Sequence, residues 1–546
     1  MGEGARLVKC APLRAGLVVA TLGIAVLHGR AFAASWVQLS DGNAWSDVAP
    51  QPQLYGLSPD GRWAVYVQDA EVDGADELWS VPVFGGVARR ICGLLPAGSA
   101  VDDFAFTPDS STVVYVAPQD ALGVDELFSA PIAGGPSIQL NGALVVGGDV
   151  LRFKLSPDGQ RVVYSADQEA NDRFELFSVS MDGGTPIKLN GALAAGGDVY
   201  YFAISPDGLH VVYEETNAAP ALHSVAIAGG PATRLTGAVV AGGGFSYFEV
   251  TPDNLRVVYV ADQQTEFVDE LYSVPLLGGE VTKLNGALDP AYFVYLGFKI
   301  SPNSLRVVFV TGTAAGGRNL YSALTGGGAA TRLNVTPPAF GLVRTIRVTL
   351  DGQRVVYFGD QETLNVNELW SVPIAGGEVT KLNGPLAAGG DVDSFQLDGA
   401  WAVYVADQEL DGFPTGHRVP IAGPAASGER IWYRAYAATN VDYAIDAPRD
   451  RVIVRGNEAL VDGVERLWSF PFLGAPDPGG GEELVPRAAF DPAGDVERFV
   501  LTPDGTILYR GDQTSDEQFE LYAVPALFFW DGFEGGDTAA WSAVAP

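Results

Sequence analysis

The residues of this chain best suited to chemistry are alternating acids that precede a glycine: Asp69, Glu71 and Asp73 before Gly74, and Asp407, Glu409 and Asp411 before Gly412. Asp167, Glu169 and Asn171 follow nearly the same pattern, and Asp512 with Asp516 a looser one. Carboxylates spaced by one residue on a turn can supply several of the roughly six to eight oxygens that calcium takes. The match is partial, because Ser80 and Arg418 stand where an EF-hand loop would carry its bidentate Glu. Calcium is thus a candidate ligand of Asp69, Glu71, Asp73, Asp167, Glu169, Asp407, Glu409 and Asp411, and no cofactor is required. The plainer expectation for the same residues is solvated hairpin loops, where Asp and Glu are ordinary.

Other chemistry is sparse. The sequence has no Gly-x-Ser-x-Gly elbow, no His-Glu-x-x-His pair, no Cys-x-x-Cys and no phosphate-binding Gly-x-x-x-x-Gly-Lys loop. His223 and His417 fall at a position filled elsewhere by Trp79, Phe128, Phe177, Tyr272, Tyr321, Trp370, Trp468 and Tyr522, so they are expected to pack as rings. His210 takes the place of Arg161 at the start of a strand, where a polar surface residue is expected. Cys92 stands where other copies have the Asn of Leu-Asn-Gly, as at Asn141 and Asn190, and reads as structural.

These comparisons are possible because the chain repeats. The turn Ser-Pro-Asp-Gly, or a variant, begins at Ser58, Thr107, Ser156, Ser205, Thr251, Ser301, Thr349, Gln396, Ala447 and Thr502, at intervals of 46 to 55 residues. Each copy continues with an apolar segment such as Arg161-Val162-Val163-Tyr164, an acidic loop, a segment such as Glu270-Leu271-Tyr272-Ser273-Val274-Pro275, a Gly-Gly turn and Thr-Lys-Leu-Asn-Gly. Val, Tyr and Phe in short runs bounded by Pro-Asp-Gly and Gly-Gly are strand and turn chemistry, with no sustained helical period. A repeat of this length, with four short strands per copy, predicts an all-β chain forming a β-propeller of about ten four-stranded blades.

The chain ends favour a single closed ring. The last copy stops after Leu521-Tyr522-Ala523-Val524-Pro525 without its fourth strand, and Trp36-Val37-Gln38-Leu39 matches the missing Thr-Lys-Leu-Asn segment. An N-terminal strand completing the last blade would leave no exposed sheet edge. Ten exceeds the usual blade number, so two smaller propellers with a break near Ala422 to Asp446 are the alternative.

Both termini also depart from the repeat pattern. Arg6, Lys9 and Arg14 precede the apolar run Ala15 to Leu27, and Ala31-Phe32-Ala33 offers a cleavage site, so residues 1–33 read as a secretory signal peptide. Residues 34–526 form the propeller and 527–546 a tail outside the repeat. The apolar run is too short for a comfortable membrane span. With Cys10 removed only Cys92 remains, which leaves no intramolecular disulfide even in an oxidising compartment. The chain has 66 acidic against 33 basic residues, and loss of the signal deepens the imbalance, which excludes nucleic acid as a partner.

The units Ser156-Pro157-Asp158-Gly159, Arg161-Val162-Val163-Tyr164 and Glu175-Leu176-Phe177-Ser178-Val179 resemble the WD-like propeller repeat of the TolB family, over residues 36 to 525. The resemblance implies blade architecture; the same repeat serves periplasmic binding proteins and the propeller half of some peptidases, so it does not settle activity. The extra α/β domains of those proteins have no counterpart here. The tail Phe529-Trp530-Asp531-Gly532-Phe533-Glu534-Gly535-Gly536-Asp537-Thr538-Ala539-Ala540-Trp541-Ser542 is similar to short sorting-type tails of exported Gram-negative bacterial proteins.

Strand order places the loops between second and third strands on the same face as the connectors to the next blade, so the Asp-Gln-Glu loops share a rim with Asp149, Asp198 and Asp391. The leading expectation is an exported, non-catalytic scaffold that binds a protein or peptide of basic character, or a cation, through this acidic rim. One alternative is a propeller lyase or hydrolase using paired carboxylates at the channel mouth, whose mark would be acids unique to one or two blades and converging on the axis. Another is a structural envelope component. Export places the protein in the periplasm, on the outer surface or in the medium.

Overall fold

The Ser-Pro-Asp-Gly turn is held by its own side chains. In the computed structural model, Ser156 Oγ donates to Asp158 Oδ1 (2.5 Å) and accepts from Arg161 N–H (2.9 Å), while Asp158 Oδ1 also accepts from Gln160 N–H (3.0 Å). Gly159 takes φ +69°, a left-handed conformation that glycine adopts without a Cβ clash. These bonds hold the Asp158 carboxyl below its usual range. The same turn joins the first two strands of other blades, as at Thr251 to Asp253 (2.6 Å) and Thr349 to Asp351 (2.5 Å).

The structure describes residues 23–27, 30–34, 37–39, 55–217, 219–237, 239–286, 292–313, 316–336, 338–432, 442–456, 465–472, 482–484, 495–502, 505–511 and 520–524. They form ten four-stranded antiparallel sheets. Blade 3 is representative, with strands Val150–Leu155, Arg161–Ala166, Glu175–Ser180 and Ile187–Lys188 in that spatial order. In nine blades a second-strand ring faces a third-strand ring in register, and in blade 9 Val454 faces Trp468. Tyr115 stacks on Phe128, Tyr164 on Phe177, Tyr259 on Tyr272 and Tyr509 on Tyr522, with centroids 5.1 to 5.5 Å apart.

Between blades, alternating Val, Leu and Ile side chains of one sheet pack on the Tyr-bearing face of the next, and each such layer is a separate apolar cluster. Val114 and Val116 of blade 2 meet Val162 and Tyr164 of blade 3; Val403 and Val405 of blade 8 meet Tyr443, Val452 and Val454 of blade 9. Ten clusters join ten blades, and the tenth packs Leu508, Leu521 and Ala523 of blade 10 against Tyr55, Ala64, Tyr66 and Val81 of blade 1. The array therefore closes into one ten-bladed β-propeller.

Closure uses the N-terminal strand. Val37 pairs with Ala523 and Gln38 with Tyr522, and Leu39 N–H donates to Leu521 O at 2.8 Å, the bond that Leu189 makes to Leu176 in blade 3. The alternative of two smaller rings fails at its proposed break. The irregular fourth strand of blade 8, Glu429–Trp432, brings the fully buried Trp432 into the interface with blade 9, where it lies 5.6 Å from Tyr443. Layer packing continues through a place where the sequence pattern lapses.

First strands of neighbouring blades lie against one another, as in blades 4 and 5, 6 and 7, and 9 and 10. Gln396 of blade 8 bonds Tyr443 O of blade 9 (2.7 Å), and Tyr247 of blade 5 packs on Phe298 of blade 6 (5.2 Å). The first strands are thus the inner edge of the ring. Residues Gly23–Leu27 and Arg30–Ala34, all but Ala34 within the segment read as the export signal, pair as a separate hairpin. Among the described residues no helix is long and apolar enough to cross a membrane.

Candidate functional site

The acidic loops are built on their first acid. Asp69 Oδ2 accepts from Gly74 N–H (2.9 Å), Asp167 Oδ2 from Asp172 (2.9 Å), Asp262 Oδ2 from Phe267 (3.0 Å), Asp360 Oδ2 from Asn365 (3.1 Å) and Asp407 Oδ2 from Gly412 (3.1 Å). Each donor lies five residues on and has positive φ, so the carboxylate secures a left-handed turn. The other oxygen of Asp167, Asp262 and Asp360 accepts from the incoming connector at Asp149, Gly244 and Leu342. In Asp407 that oxygen is buried without a hydrogen-bond partner.

The rest of the loop is similarly engaged. Gln119 Oε1 accepts from Gly93 N–H of the preceding blade (2.7 Å) and from Tyr115 Oη (2.9 Å), and Gln168 does the same with Gly142 and Tyr164. Glu71 pairs with Arg90 (3.3 Å), Glu169 with Lys188 (2.9 Å), Glu362 with Lys381 (3.0 Å) and Glu409 with Arg430. A second Glu, buried at the start of the third strand, shares the same cation: Glu77, Glu175 and Glu368 reach Arg90, Lys188 and Lys381. Burial works against the charge on Lys188, yet its bonds to Glu175 and Glu169 hold it above the usual lysine range.

The candidate calcium ligands therefore face different partners: Asp69, Asp167 and Asp407 turn to backbone, Glu71, Glu169 and Glu409 to strand-four cations, and Asp73 and Asp411 to solvent. Among the described residues no three His, Cys, Asp or Glu side chains group as metal ligands would. Asp512 and Asp516 lie outside the described residues, as does the tail from residue 525 onward.

Where connectors meet these loops, carboxylates crowd. Partial burial, Asp102 and Asp149 push Asp125 up to about 6. Partial burial, Asp407 and Asp391 push Asp393 up to about 6 as well. Like charges held this close favour any arriving cation.

Residues singled out for their types have structural places. In four blades the Asn of Leu-Asn-Gly, and in a fifth Asn334 of Leu-Asn-Val, accepts from the third-strand Leu N–H, for example Leu127 to Asn141 (2.9 Å) and Leu369 to Asn383 (2.8 Å). Cys92 Sγ accepts the same bond from Leu78 at 3.2 Å, and burial pushes its thiol up to about 12. Cys92→Asn is therefore expected to hold or raise stability, whereas Cys92→Ala should cost about 1–3 kcal/mol by leaving a buried N–H unpaired. Urea unfolding of both variants measures this. His223 stacks on Tyr213 (5.1 Å) and His417 on Tyr404 (5.2 Å), and burial, then Arg430, pushes His417 down to about 4. His210 opens a second strand, its backbone N–H bonded to Ser205 Oγ (2.9 Å).

The inner strands are where the repeat varies. Glu249 has no acidic counterpart in the other blades, whereas Asp103 and Asp442 share one first-strand position and Asp393 and Glu497 another. Asp442 lies 3.9 Å from Arg455, and Glu497 pairs with Arg510.

No protein-family model matches the chain, and no curated protein sequence matches it. Solved structures similar to it include a protein provisionally identified as TolB from Agrobacterium tumefaciens, at 18% identity over 42% of this chain and 79% of that one, with a TM-score of 0.27. An oligogalacturonate lyase from Vibrio parahaemolyticus matches at 14% identity over 78% and 98%, TM-score 0.35. A prolyl endopeptidase matches at 11% over 69% of this chain and 55% of its own length, TM-score 0.38. The chain's own strand pairing makes it a β-propeller of ten four-stranded blades.

Proposed function

We propose that the protein is an exported binding scaffold whose connector-side face takes a basic protein or peptide segment, or a cation. The observation that carries this reading is the crowding of carboxylates on one face. Asp391 and Asp393 sit with Asp407, whose buried Oδ1 has no hydrogen-bond partner, and Asp102 and Asp149 flank Asp125. Asp149, Asp391 and Asp407 each give one oxygen to a backbone N–H, from Asp125, Asn367 and Gly412, yet the neighbouring charges that act on Asp125 and Asp393 are all acidic, so both clusters hold an excess of negative charge.

A lysine-rich peptide tests the reading. Because a ligand that binds only the folded state raises the melting temperature, decalysine is expected to raise it, and Asp125→Asn with Asp393→Asn to abolish the rise. No rise at millimolar peptide would remove the basic-partner reading. Calcium is the second arm: a rise with millimolar calcium that chelator reverses and Asp407→Asn removes would assign the ion to the loop of Asp407, Glu409 and Asp411.

A further inference from the structure

A second, oppositely charged surface lines the ring. The first strand of every blade has a residue opposite the second-strand position just before the ring-stacking residue. In order these are Gly56, Ala105, Lys154, Ala203, Glu249, Lys299, Arg347, Gln396, Ala444 and Val500. This belt holds three cations and one acid in a chain with 66 acids against 33 bases. The acid is engaged, since Tyr247 Oη donates to Glu249, and Gln396 bonds Tyr443 O.

The cations are not paired with acids. Among the described residues, Lys154, Lys299 and Arg347 make no side-chain hydrogen bond or ion pair, and all three are exposed; Lys154 lies 5.7 Å from the Phe202 ring. Elsewhere the fold commits its cations: Arg90, Lys188, Lys283 and Lys381 to carboxylates, and Arg161, Arg256 and Arg354 to serine hydroxyls. Lys299 and Arg347 stand at one level on neighbouring inner strands, two like charges side by side where acids are plentiful in the chain. Although the Lys154 side chain reaches solvent, partial desolvation by the surrounding wall and nearby Arg152 hold it below the usual lysine range, so its charge gains from an arriving anion.

Between these cations the wall is aromatic. Tyr201 of blade 4 is 56% exposed and Tyr247 of blade 5 is 40% exposed. Arg152 lies over the Tyr201 ring at 4.8 Å, and Arg318 over Tyr295 of blade 6 at 3.6 Å. From blade 3 to blade 7 the belt runs Lys154, Ala203, Glu249, Lys299 and Arg347, and the rings of Tyr201 and Tyr247 come two residues before Ala203 and Glu249 in the chain. An arc across five blades suits a chain-like ligand rather than a small anion. Exposed ring faces suit the apolar faces of sugars, while ammonium and guanidinium groups make charge-assisted bonds to carboxylate or sulfate.

We propose that this arc is a binding site for an acidic oligosaccharide, with Lys154, Lys299 and Arg347 holding its anionic groups and Tyr201 and Tyr247 its sugar rings. The net negative charge of the protein does not oppose this at physiological salt, where the Debye length of about 8 Å makes the nearest charges decisive. The site is separate from the acidic connector face, and its test does not depend on that reading.

Calorimetric titration of the full chain with alginate oligomers, which carry carboxylates, and with heparin oligomers, which add sulfates, is expected to show binding of at least one, and none of neutral dextran. Lys154→Met, Lys299→Met and Arg347→Gln together should weaken binding by about 1000-fold or more, at about one charge-assisted bond each. Glu249→Gln, which removes the acid of the belt, should strengthen it a few-fold and keeps the proposal testable if the triple variant folds poorly. No binding of either glycan, unchanged binding by the triple variant, or equal binding of polyglutamate would overturn it; the last would assign the arc to an acidic peptide.

Discussion

Leu39→Asp is expected to open the ring. Leu39 is fully buried, and it ties three pieces of chain together: its N–H bonds Leu521 O at 2.8 Å, its carbonyl accepts from Tyr66 Oη at 3.3 Å, and its side chain packs with Tyr55, Val81, Leu508 and Leu521. Truncation of a buried Leu to Ala alone costs about 2–5 kcal/mol. An unpaired carboxylate in the same place adds a desolvation penalty of several kcal/mol, comparable with the whole stability of many domains. The expected result is loss of the closing strand, an exposed edge on blade 10, and association of opened rings through that edge. Limited proteolysis should then cut on the N-terminal side of residue 55, and size-exclusion chromatography should show larger species. A variant that stays monomeric with an unchanged melting temperature would mean that the N-terminal strand is dispensable for closure.

The second large effect concerns Glu214. Nine blades follow the ring-bearing position of the second strand with Val67, Val116, Ser165, Val260, Val310, Phe358, Val405, Arg455 or Arg510; blade 4 alone has a buried Glu there. Arg455 and Arg510 have ion-pair partners in Glu465 and Glu497, whereas burial pushes the Glu214 carboxyl up to about 7. A carboxyl raised on folding binds its proton more tightly in the folded state. Its contribution is intact below the unfolded value and is lost as pH rises through about 7. At about 1.4 kcal/mol for each pH interval of one between the unfolded and folded values, the loss is on the order of 3 kcal/mol between pH 4.5 and pH 8. Glu214→Val should therefore stabilise the protein at pH 8 by that order and change little at pH 4.5. Parallel urea titrations of wild type and variant at the two pH values measure it, and an equal gain at both would show that packing rather than ionisation sets the effect.

Much of this architecture is legible in the amino-acid sequence, because ten imperfect copies act as controls for one another. The positions of His223, His417 and Cys92 are read correctly from their sister residues, and the match of Trp36-Val37-Gln38-Leu39 to the missing Thr-Lys-Leu-Asn segment foretells the closing strand but not its register, since Val37, Gln38 and Leu39 take the places of Ile187, Lys188 and Leu189. What the sequence conceals is the division of labour within the acidic loops. Asp167, Gln168 and Glu169 are adjacent and look like one polar cluster, but their partners lie on a connector, on the preceding blade and on the fourth strand. Those partners are distant in sequence, and only the register of the sheets brings them within reach. The buried Glu at the start of the third strand is equally available as a repeated residue; its pairing with the fourth-strand cation could be inferred from their constant spacing, as in Glu175 and Lys188 or Glu368 and Lys381. The belt of Lys154, Lys299 and Arg347 is hidden for the opposite reason. These residues do not repeat, and their common level emerges only when the first strands are paired with the second.

Pairing Val37 with Ala523 also sets an order of events. A ribosome delivers the N-terminal strand first, yet its partner is among the last segments made, so that strand waits without a mate while nine blades stack beside it. The ring cannot be finished by vectorial growth; its final step is a long-range docking across nearly the entire chain, slow by the usual relation between sequence separation and folding rate. Until that step, the unfinished tenth blade has an open edge, and a second molecule at the same stage has a matching strand free to fill it. Exchange of N-terminal strands between unfinished chains is thus the assembly error this topology invites, and dilution during refolding is the condition that suppresses it.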